Sequence, residues 1–406
     1  MQTLAAAVAV QLTIGVAYIW SVFQTGVAGN LFGGDNAAAG LTFSLVIATM
    51  CVGSVVGGRM ATRMSIRAVV FLGGAVYGAG FVTASFVTPD CAWLLWLSYG
   101  VAGGMGMGLA YSTTIACAQR WYPRRKGLVT GLVVSALGFG GVIFNPPVLR
   151  LVNAFGGEGV GEGKTFMVLG AVAFAVFTLG SLFIREPPEG HAATTGAAAA
   201  AKTPSRDFTL RQMLLTPQFY IITFTFMFAC MGGLMMIAFA RPVAEMKGLG
   251  AAATAGILAI SVSNSAGRLV WGAVSDKFGR ANTIMLLLAL ATVSTLLVNT
   301  AEGNMVFALI ALIGFTYGGF LGVFPALTAE VFGAKHMATN YGVVLFGFGI
   351  GAILSSKIAG YYKNIATAEG DIGRMFPAFV IASCCAAVGL AMMFGLRFFN
   401  KKTNSY

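Results

Sequence analysis

Twelve long apolar runs, separated by short polar segments, constrain the fold of this 406-residue chain more than any other feature of its sequence. Most of the runs have about 20 or more mainly apolar residues, the length that an α-helix needs to cross a bilayer. With 57% of the residues hydrophobic and only 9% charged, the chain leaves no room for a large soluble domain. We therefore predict an all-α membrane protein with twelve transmembrane helices. The runs lie at residues 3–28, 38–58, 68–88, 92–118, 128–152, 165–184, 218–242, 251–274, 281–300, 304–329, 339–361 and 375–398.

A low-complexity segment at residues 185–216 separates the sixth run from the seventh, and its composition cannot form a packed core. We interpret it as a cytoplasmic linker between an N-terminal six-helix bundle of residues 1–184 and a C-terminal bundle of residues 217–406. The two halves are alike at a shift of about 214, since residues 57–63 follow the second run as residues 271–277 follow the eighth. Internal duplication is common in transporters and predicts two pseudo-symmetric bundles.

The distribution of basic residues predicts the orientation of the chain. If both termini are cytoplasmic, 17 of the 25 Lys and Arg residues fall on the cytoplasmic side and seven on the other. This asymmetry follows the positive-inside rule and favours a multi-pass membrane protein with both termini cytoplasmic. Because these residues are spread over short loops, the net charge of +12 does not indicate nucleic-acid binding. We expect a monomer in the lipid bilayer with no nucleic-acid partner.

The segment after the eighth run combines glycines with one acidic and two basic residues, namely Gly272, Asp276, Lys277, Gly279 and Arg280. It resembles the loop signature of the major facilitator superfamily. We expect the glycines to permit a tight cytoplasmic turn, and the Asp276 carboxylate to cap a neighbouring helix or pair with a basic residue when an inner gate closes. The alternative is an ordinary loop whose charges only set topology. The first-half copy is degraded, with Thr62 at the acidic position and Ser65 at a glycine position.

Four further stretches extend the resemblance over nearly the whole chain. They are residues 15–21 (GVAYIWS), 119–127 (QRWYPRRKG), 215–219 (LTPQF) and 340–342 (NYG). All four resemble the bacterial oxalate/formate antiporter branch of the monocarboxylate porter family. The resemblance implies a twelve-helix facilitator fold and small carboxylate substrates.

Arg268 lies deep in the eighth run, about seventeen residues after its start and about nine before the cytoplasmic end near Lys277, which is near mid-membrane at 1.5 Å per residue. Such an arginine costs about 2.5 to 3.5 kcal/mol on insertion scales and is tolerated only beside a cavity or a partner. Its planar fork matches a carboxylate, so we predict that it binds the substrate carboxylate. The alternative partners are helix carbonyls or a hidden acid, although no run carries Asp or Glu at this depth. Asn264, one turn earlier, can orient the guanidinium or bind the substrate.

The family resemblance supplies the remaining site positions. In animal monocarboxylate porters an aspartate that relays the proton stands where this chain has Asn264, so the proton carrier is not placed. Phe348 stands where the oxalate exchanger has a second intramembrane cation, and one cation would neutralise a monocarboxylate but leave a dicarboxylate with an uncompensated charge. The resemblance also implies lining or packing roles for Tyr18, Tyr111, Leu137 and Tyr317.

The chain carries no Walker motif, dinucleotide fingerprint or metal-ligand cluster, so we expect no enzyme, no cofactor and no catalytic or metal-binding residue. We predict a secondary active transporter of monocarboxylates such as lactate or pyruvate, coupled to protons by symport and working by alternating access. One alternative is an antiporter of the oxalate/formate type. Another, of a different class, is a carboxylate-binding membrane sensor. Glu330, His336 and Glu245 are either proton or gate groups or ordinary surface charges.

Overall fold

The computed structural model of the chain describes residues 1–188, 207–246 and 253–403. Within these ranges, twelve long helices correspond to the twelve apolar runs, and the predicted all-α membrane fold is confirmed. In chain order they are α1 Gln2–Leu31, α2 Asn36–Met60, α3 Ile66–Ala84, α4 93–121, α5 Lys126–Ala154, α6 Gly161–Phe183, α7 Pro217–Met246, α8 Ala253–Phe278, α9 Arg280–Thr300, α10 Asn304–Val331, α11 Met337–Glu369 and α12 Phe376–Thr403. A short helix, Leu210–Leu214, precedes α7.

Ten helices of the described chain are long and apolar enough to cross a membrane on length and hydropathy alone. The other two are α4, which carries five glycines between Gly100 and Gly108, and α8, which carries polar residues such as Ser263, Asn264 and Arg268. In α4, every residue from Gly106 to Gln119 is buried by neighbouring helices. A helix that faces protein on all sides does not need a lipid-compatible surface, so its polar residues are tolerated.

Two local irregularities lie beside one aromatic cluster. Helix α1 tightens into a 3₁₀ turn at Gly15–Ile19, and α4 contains a π-helical stretch at Trp96–Gly103. Directly after the 3₁₀ turn, the ring of Trp20 lies with its centroid 4.9 Å from that of Tyr99, which in turn lies 4.4 Å from Phe81. These rings form part of the core that joins α1, α3 and α4.

The chain falls into two compact units. The first contains Met1–Pro123, Ala136–Asp207 and Phe332–Val343, and the second contains Arg124–Ser135, Phe208–Val331 and Val344–Tyr406. The start of α5 belongs to the second unit and the start of α11 to the first. The predicted bundles of residues 1–184 and 217–406 stay predictions. The predicted linker at residues 185–216 stays a prediction, because its residues 189–206 lie outside the described part of the chain.

Glycines bring α8 and α10 into backbone contact within the second unit. A Cβ atom on Gly318 would lie 1.9 Å from the carbonyl oxygen of Asn264, and one on Gly322 would lie 2.4 Å from that of Arg268. One turn before Gly318, a Cβ on Gly314 would lie 2.8 Å from the carbonyl oxygen of Ile260. Small residues every fourth position permit this approach, and here they determine where the turn of α8 that carries Arg268 lies.

The first unit repeats this arrangement between α2 and α4. A Cβ on Gly104 would lie 2.4 Å from the Val46 carbonyl oxygen, and one on Gly108 would lie 2.2 Å from that of Met50. Gly104 and Gly108 stand 214 positions before the α10 glycines Gly318 and Gly322, which is the shift that relates the two halves in sequence. The close-packed glycine contacts are therefore a structural feature that the duplicated halves share.

Candidate functional site

Arg268 is buried in α8 with 1% of its surface exposed, and both of its hydrogen-bond acceptors are neutral. Its Nε donates to Oδ1 of Asn264 at 3.2 Å, and its Nη1 donates to the carbonyl oxygen of Val134 on α5 at 3.0 Å. These bonds use two of the five N–H groups of the guanidinium. Within the described residues Arg268 forms no ion pair, so the guanidinium keeps donors and a full charge to offer an anion.

Only one other charged side chain is buried in the described part of the chain. It is Glu162, in the first turn of α6 in the first unit, whose Oε1 accepts a hydrogen bond from the Gly159 N–H at 2.9 Å. The sequence offered two other partners for Arg268, a helix carbonyl or a hidden acid. The Val134 carbonyl is such a helix carbonyl and accepts one of its hydrogen bonds. A hidden acid is not found among the residues that the structure describes.

Two glycines contact the α8 backbone at Arg268 from different helices. A Cβ on Gly131 of α5 would lie 2.3 Å from the Arg268 carbonyl oxygen, and Gly322 of α10 approaches the same atom. Sequence reasoning missed both residues. The signal was present as glycines spaced by four, at Gly127 and Gly131 on α5 and at residues 314, 318 and 322 on α10, a spacing typical of close helix contacts.

Tyr317 and Phe348 also lie in the second unit, both buried. Tyr317 of α10 packs against α7, where a Cβ on Gly233 would lie 2.3 Å from the Tyr317 Cβ. The ring of Phe348 lies with its centroid 6.1 Å from that of Phe226, which stacks 4.4 Å from Phe324. Phe348 is thus part of an aromatic core, and its substrate-lining role stays a prediction.

Tyr111 is buried on α4 in the first unit, with its ring centroid 6.3 Å from that of Tyr341. Its carbonyl oxygen accepts a hydrogen bond of 3.1 Å from Nε2 of Gln11 on α1, and the same Nε2 donates to Thr114 at 2.9 Å. Gln11 is fully buried and was not predicted from the sequence. A glutamine inside the first apolar run was the signal that could have identified it.

Tyr18 and Leu137 complete the predicted set in the first unit. Tyr18 is half-buried, and its ring lies edge-on to Phe43 with centroids 6.3 Å apart. Leu137 is buried where α5 meets α1, and a Cβ on Gly15 would lie 2.3 Å from its carbonyl oxygen. Of the predicted substrate-binding residues, the structure thus joins Arg268 to Asn264 by a hydrogen bond. Tyr317 and Phe348 also belong to the second unit, and the other three belong to the first.

Asp276, near the end of α8, caps the N-terminus of α5. Its Oδ1 and Oδ2 accept hydrogen bonds from the backbone N–H groups of Gly127 at 2.9 Å and Leu128 at 2.8 Å. Arg280 donates to the same carboxylate at 2.9 Å. The first N–H groups of a helix have no partner within the helix and carry partial positive charge, so a carboxylate there is doubly favoured. Asp276 thus both caps a helix and pairs with a basic residue, and its role in a gate stays a prediction.

Of the two glycines expected to permit the turn after α8, Gly279 lies in it and Gly272 does not. Gly279 has a φ of 89°, in the left-handed region that favours glycine. Gly272 is helical, because α8 extends to Phe278. A Cβ on Gly272 would lie 2.4 Å from the carbonyl oxygen of Gly127, so this glycine instead allows α5 to contact α8.

The other charged groups at this end are more exposed. Arg280 pairs with Glu330 as well as with Asp276, and Lys277 is exposed. His336 is half-buried and lines a narrow cavity of the first unit. Glu245 belongs to the residues whose side chains lie outside the described part of the chain.

In the first unit the position that corresponds to Asp276 holds Thr62, which is not acidic and is exposed. A different set of bonds fixes the loop before α11. Arg120 donates to the Lys335 carbonyl oxygen at 3.0 Å and pairs with Glu186 at 3.6 Å, while the Lys335 N–H donates to Asp207 at 3.1 Å. The peptide groups around Lys335 are thus bonded through both their carbonyl and their N–H.

Comparison with known proteins assigns these features to a family. The family model described as Major Facilitator Superfamily matches residues 5–356. The chain is 32% identical to the uncharacterized MFS-type transporter YhjX of Escherichia coli, covering 86% of this chain and 85% of that protein. It is 31% identical to the oxalate:formate antiporter of Oxalobacter formigenes, with 91% and 87% covered. It is 23% identical to monocarboxylate transporter 12 of Xenopus laevis, with 89% and 81% covered.

The fold agrees with this assignment. The solved structure of the proton:xylose symporter XylE superposes on this chain with a TM-score of 0.69 at 14% sequence identity, covering 97% of this chain and 95% of that one. At this identity the likeness concerns the fold alone. The chain therefore belongs to the major facilitator superfamily of membrane transporters, within the branch that includes the oxalate:formate antiporter and the monocarboxylate transporters.

Proposed function

We propose that this transporter moves small monocarboxylates such as lactate or pyruvate across a bacterial inner membrane by alternating access, with both termini cytoplasmic. The observation that carries the proposal is the buried guanidinium of Arg268, which has only neutral acceptors among the described residues. The relatives named for oxalate, formate and monocarboxylates support a carboxylate as the ligand.

The charge of the site favours one carboxylate over two. A hydrogen bond to a charged group is worth about 1.5 to 3 kcal/mol, so a carboxylate that accepts two bonds from Arg268 gains several kcal/mol. The second carboxylate of a dicarboxylate would find no second cation at the family position, which is the buried Phe348. An unpaired buried charge is strongly unfavourable, and we therefore expect lactate or pyruvate to bind better than oxalate.

The other predicted residues have supporting roles in this proposal. Asn264 holds Nε of Arg268 at 3.2 Å and thereby orients the guanidinium. Tyr317 and Phe348 would line the substrate path in the second unit, and Tyr18, Tyr111 and Leu137 would line it in the first. As a gate, the Asp276 cap of α5 would break and re-form once in each cycle. The remaining gate residues are Gly272, Lys277, Gly279 and Arg280.

The coupling reaction has two candidates. Proton symport would need a group that binds the proton, and among the described residues no carboxylate lies beside Arg268. Anion exchange needs no such group. In exchange, an anion is bound to Arg268 during both the inward and the outward step, so the charge of the guanidinium is balanced in each. An inward proton gradient imposed on vesicles without internal acid separates the two. Accumulation of lactate supports symport, whereas uptake only with internal anion supports exchange.

The anchor assignment is tested by uptake of labelled lactate or pyruvate into proteoliposomes. We expect Arg268→Ala to lower uptake at low substrate by at least about 100-fold, which corresponds to about 3 kcal/mol of lost binding. Arg268→Lys keeps the charge but loses the planar fork, so an intermediate loss of about tenfold is expected. The matched control is Arg150→Ala, which removes an exposed arginine of α5.

Uptake at the wild-type rate in both Arg268 variants would refute the anchor. Specific, Arg268-dependent binding without any flux would instead support the carboxylate sensor. Thermal stabilisation by a panel of mono- and dicarboxylates ranks the ligands, because a ligand stabilises the protein in proportion to its binding.

A further inference from the structure

The first ten residues of α5, 126–135, contact α8 at three successive levels. At the first level Asp276 caps the helix through the N–H groups of Gly127 and Leu128. At the second, Gly131 lies against the Arg268 carbonyl. At the third, the carbonyl oxygen of Val134 accepts the hydrogen bond from Arg268 Nη1. The substrate-binding arginine and the gate carboxylate therefore contact the same short helix segment.

Val134 stands at a special point of the chain. Helix α5 belongs to the second unit up to Ser135 and to the first unit from Ala136 onwards. The bond from Arg268 is thus the last of these three contacts before α5 leaves the second unit. A change in the hydrogen bonding of Arg268 therefore acts on α5 one residue before the last residue that the helix contributes to the second unit.

We propose that the Val134 carbonyl is the resting ligand of Arg268, that the substrate carboxylate replaces it, and that this exchange releases α5 from α8. The inference rests on the proposed function, because it requires a carboxylate on Arg268. A hydrogen bond from a guanidinium to a carboxylate is charge-assisted on both sides and roughly twice as strong as one to a neutral acceptor. The substrate carboxylate therefore displaces the Val134 carbonyl from Nη1 of Arg268. The hydrogen bond that joins α8 to α5 in the absence of substrate is lost as the substrate binds.

Gly131 is the positioning residue of this exchange. Because its missing side chain lets α5 lie against the Arg268 backbone, Val134, one turn further on, comes within hydrogen-bond distance of the guanidinium. An alanine would put a Cβ atom 2.3 Å from the Arg268 carbonyl oxygen and force the helices apart. The resting ligand would then be withdrawn while Arg268 itself stays in place.

Kinetics of Gly131→Ala in proteoliposomes test this role. With its internal competitor gone, Arg268 should bind lactate more tightly, so KM falls by about threefold to tenfold, the effect of one lost neutral hydrogen bond. The maximal rate should fall as well, because substrate binding no longer changes the α5 contact. A purely structural defect lowers the rate without lowering KM. The control is Gly29→Ala in α1, whose added Cβ would meet nothing within 4 Å.

Hydrogen exchange of the wild-type protein provides a test that needs no variant. In the presence of saturating lactate or pyruvate, amide exchange in residues 126–135 should accelerate at least severalfold, and the N–H groups of Gly127 and Leu128 should lose protection first. Oxalate, used at the same concentration, should produce a smaller change. Arg268→Lys protein should show no acceleration.

The outcomes separate the two proposals. If lactate and pyruvate stabilise the protein through Arg268 but exchange in residues 126–135 is unchanged or slower, the resting-ligand inference is wrong and the carboxylate anchor stands. An increase in KM in Gly131→Ala would also overturn it. If no acid of the panel stabilises the wild-type protein, the proposed function fails, and this inference fails with it.

Discussion

Replacing Gly318 by alanine would place a methyl group where α10 touches the backbone of α8. Its Cβ would lie 1.9 Å from the carbonyl oxygen of Asn264, whereas carbon and oxygen atoms in contact are about 3.3 Å apart. The obstacle is the main chain of a helix, which cannot rotate away as a side chain can. The two helices must therefore separate by roughly 1 Å along the contact that carries Arg268.

Two opposing effects determine the stability of this variant. Alanine is favoured over glycine inside a helix by about 1 kcal/mol. Overpacking a tight contact costs about 1 to 3 kcal/mol, and a gap of about 1 Å removes up to roughly half of the dispersion energy of the neighbouring contacts. The cost of overpacking exceeds the gain in helix propensity, and we expect Gly318→Ala to be destabilised by about 1 to 2 kcal/mol. For a unit of this size that corresponds to a decrease in Tm of roughly 3 to 8 °C.

Thermal unfolding in detergent, with and without lactate, measures both consequences. A shift of about 1 Å at Asn264 and Arg268 should weaken acid binding by about tenfold or more, because positional errors of this size are costly at a binding centre. Gly170→Ala is the control for packing alone, since its Cβ would lie 2.8 Å from the Gly78 carbonyl oxygen in the first unit. It should lower Tm but leave the acid affinity unchanged.

Gly360→Ala is the control for helix propensity, since its Cβ would meet nothing within 4 Å, and its Tm should not fall. A Tm of Gly318→Ala at or above that of the wild type would refute the reasoning. It would mean that α8 and α10 are not held in backbone contact. Reduced stability with normal acid affinity would refute only the link from this contact to the position of Arg268.

Three further predictions concern the ends of the helices. Asp276→Asn keeps one acceptor for the α5 N–H groups but loses the ion pair with Arg280, so the free energy of unfolding should fall by about 1 to 2 kcal/mol, measured as a lower Tm. Thr62→Asp restores the acid that the first half lacks, and a new cap on α11 should raise Tm by roughly 2 °C or more; an unchanged Tm would speak against it. A hydrogen bond with Thr88 lowers the pKa of the Cys91 thiol, so an impermeant maleimide added outside the cell should label Cys91 down to a lower pH than it labels an ordinary thiol. Thr88→Ala should move that profile to higher pH, and labelling only from the inner side would reverse the predicted orientation.

The helices were predictable because each depends on the apolar length of its own stretch of sequence. Crossing a bilayer requires about 20 apolar residues in succession. The runs begin and end within five residues of their helices, except that α11 continues to Glu369, eight residues beyond the run at 339–361. The linker was also predicted from local composition, and it stays a prediction because residues 189–206 lie outside the described part of the chain. The depth of Arg268 was predicted by counting residues along a helix of known rise. The helix that carries it spans Ala253–Phe278 and so ends four residues beyond the predicted run.

The partners of these residues were not predictable, because they depend on contacts between segments far apart in sequence. Nothing in the sequence around Arg268 indicates the Val134 carbonyl, 134 positions earlier, as its acceptor. Gly272 was expected in a turn because the signature resembles a loop, but tertiary contact with Gly127 continues the helix through it. The glycines of α5 and α10 have the spacing of close helix contacts, but the spacing alone does not identify the helix that they touch.

By itself, the sequence determined the twelve helices and placed Arg268 inside the eighth of them, since the bilayer imposes an apolar stretch on each segment separately. Only the tertiary structure decided that Arg268 donates a hydrogen bond to α5 and meets no acid among the described residues. It also decided that Asp276 caps that same helix, and that α5 and α11 each divide between two units. The physical reason is that helices in a membrane gain little hydrophobic energy from one another. Their arrangement depends on backbone contacts at glycines and on a few buried hydrogen bonds, which form only when distant segments meet.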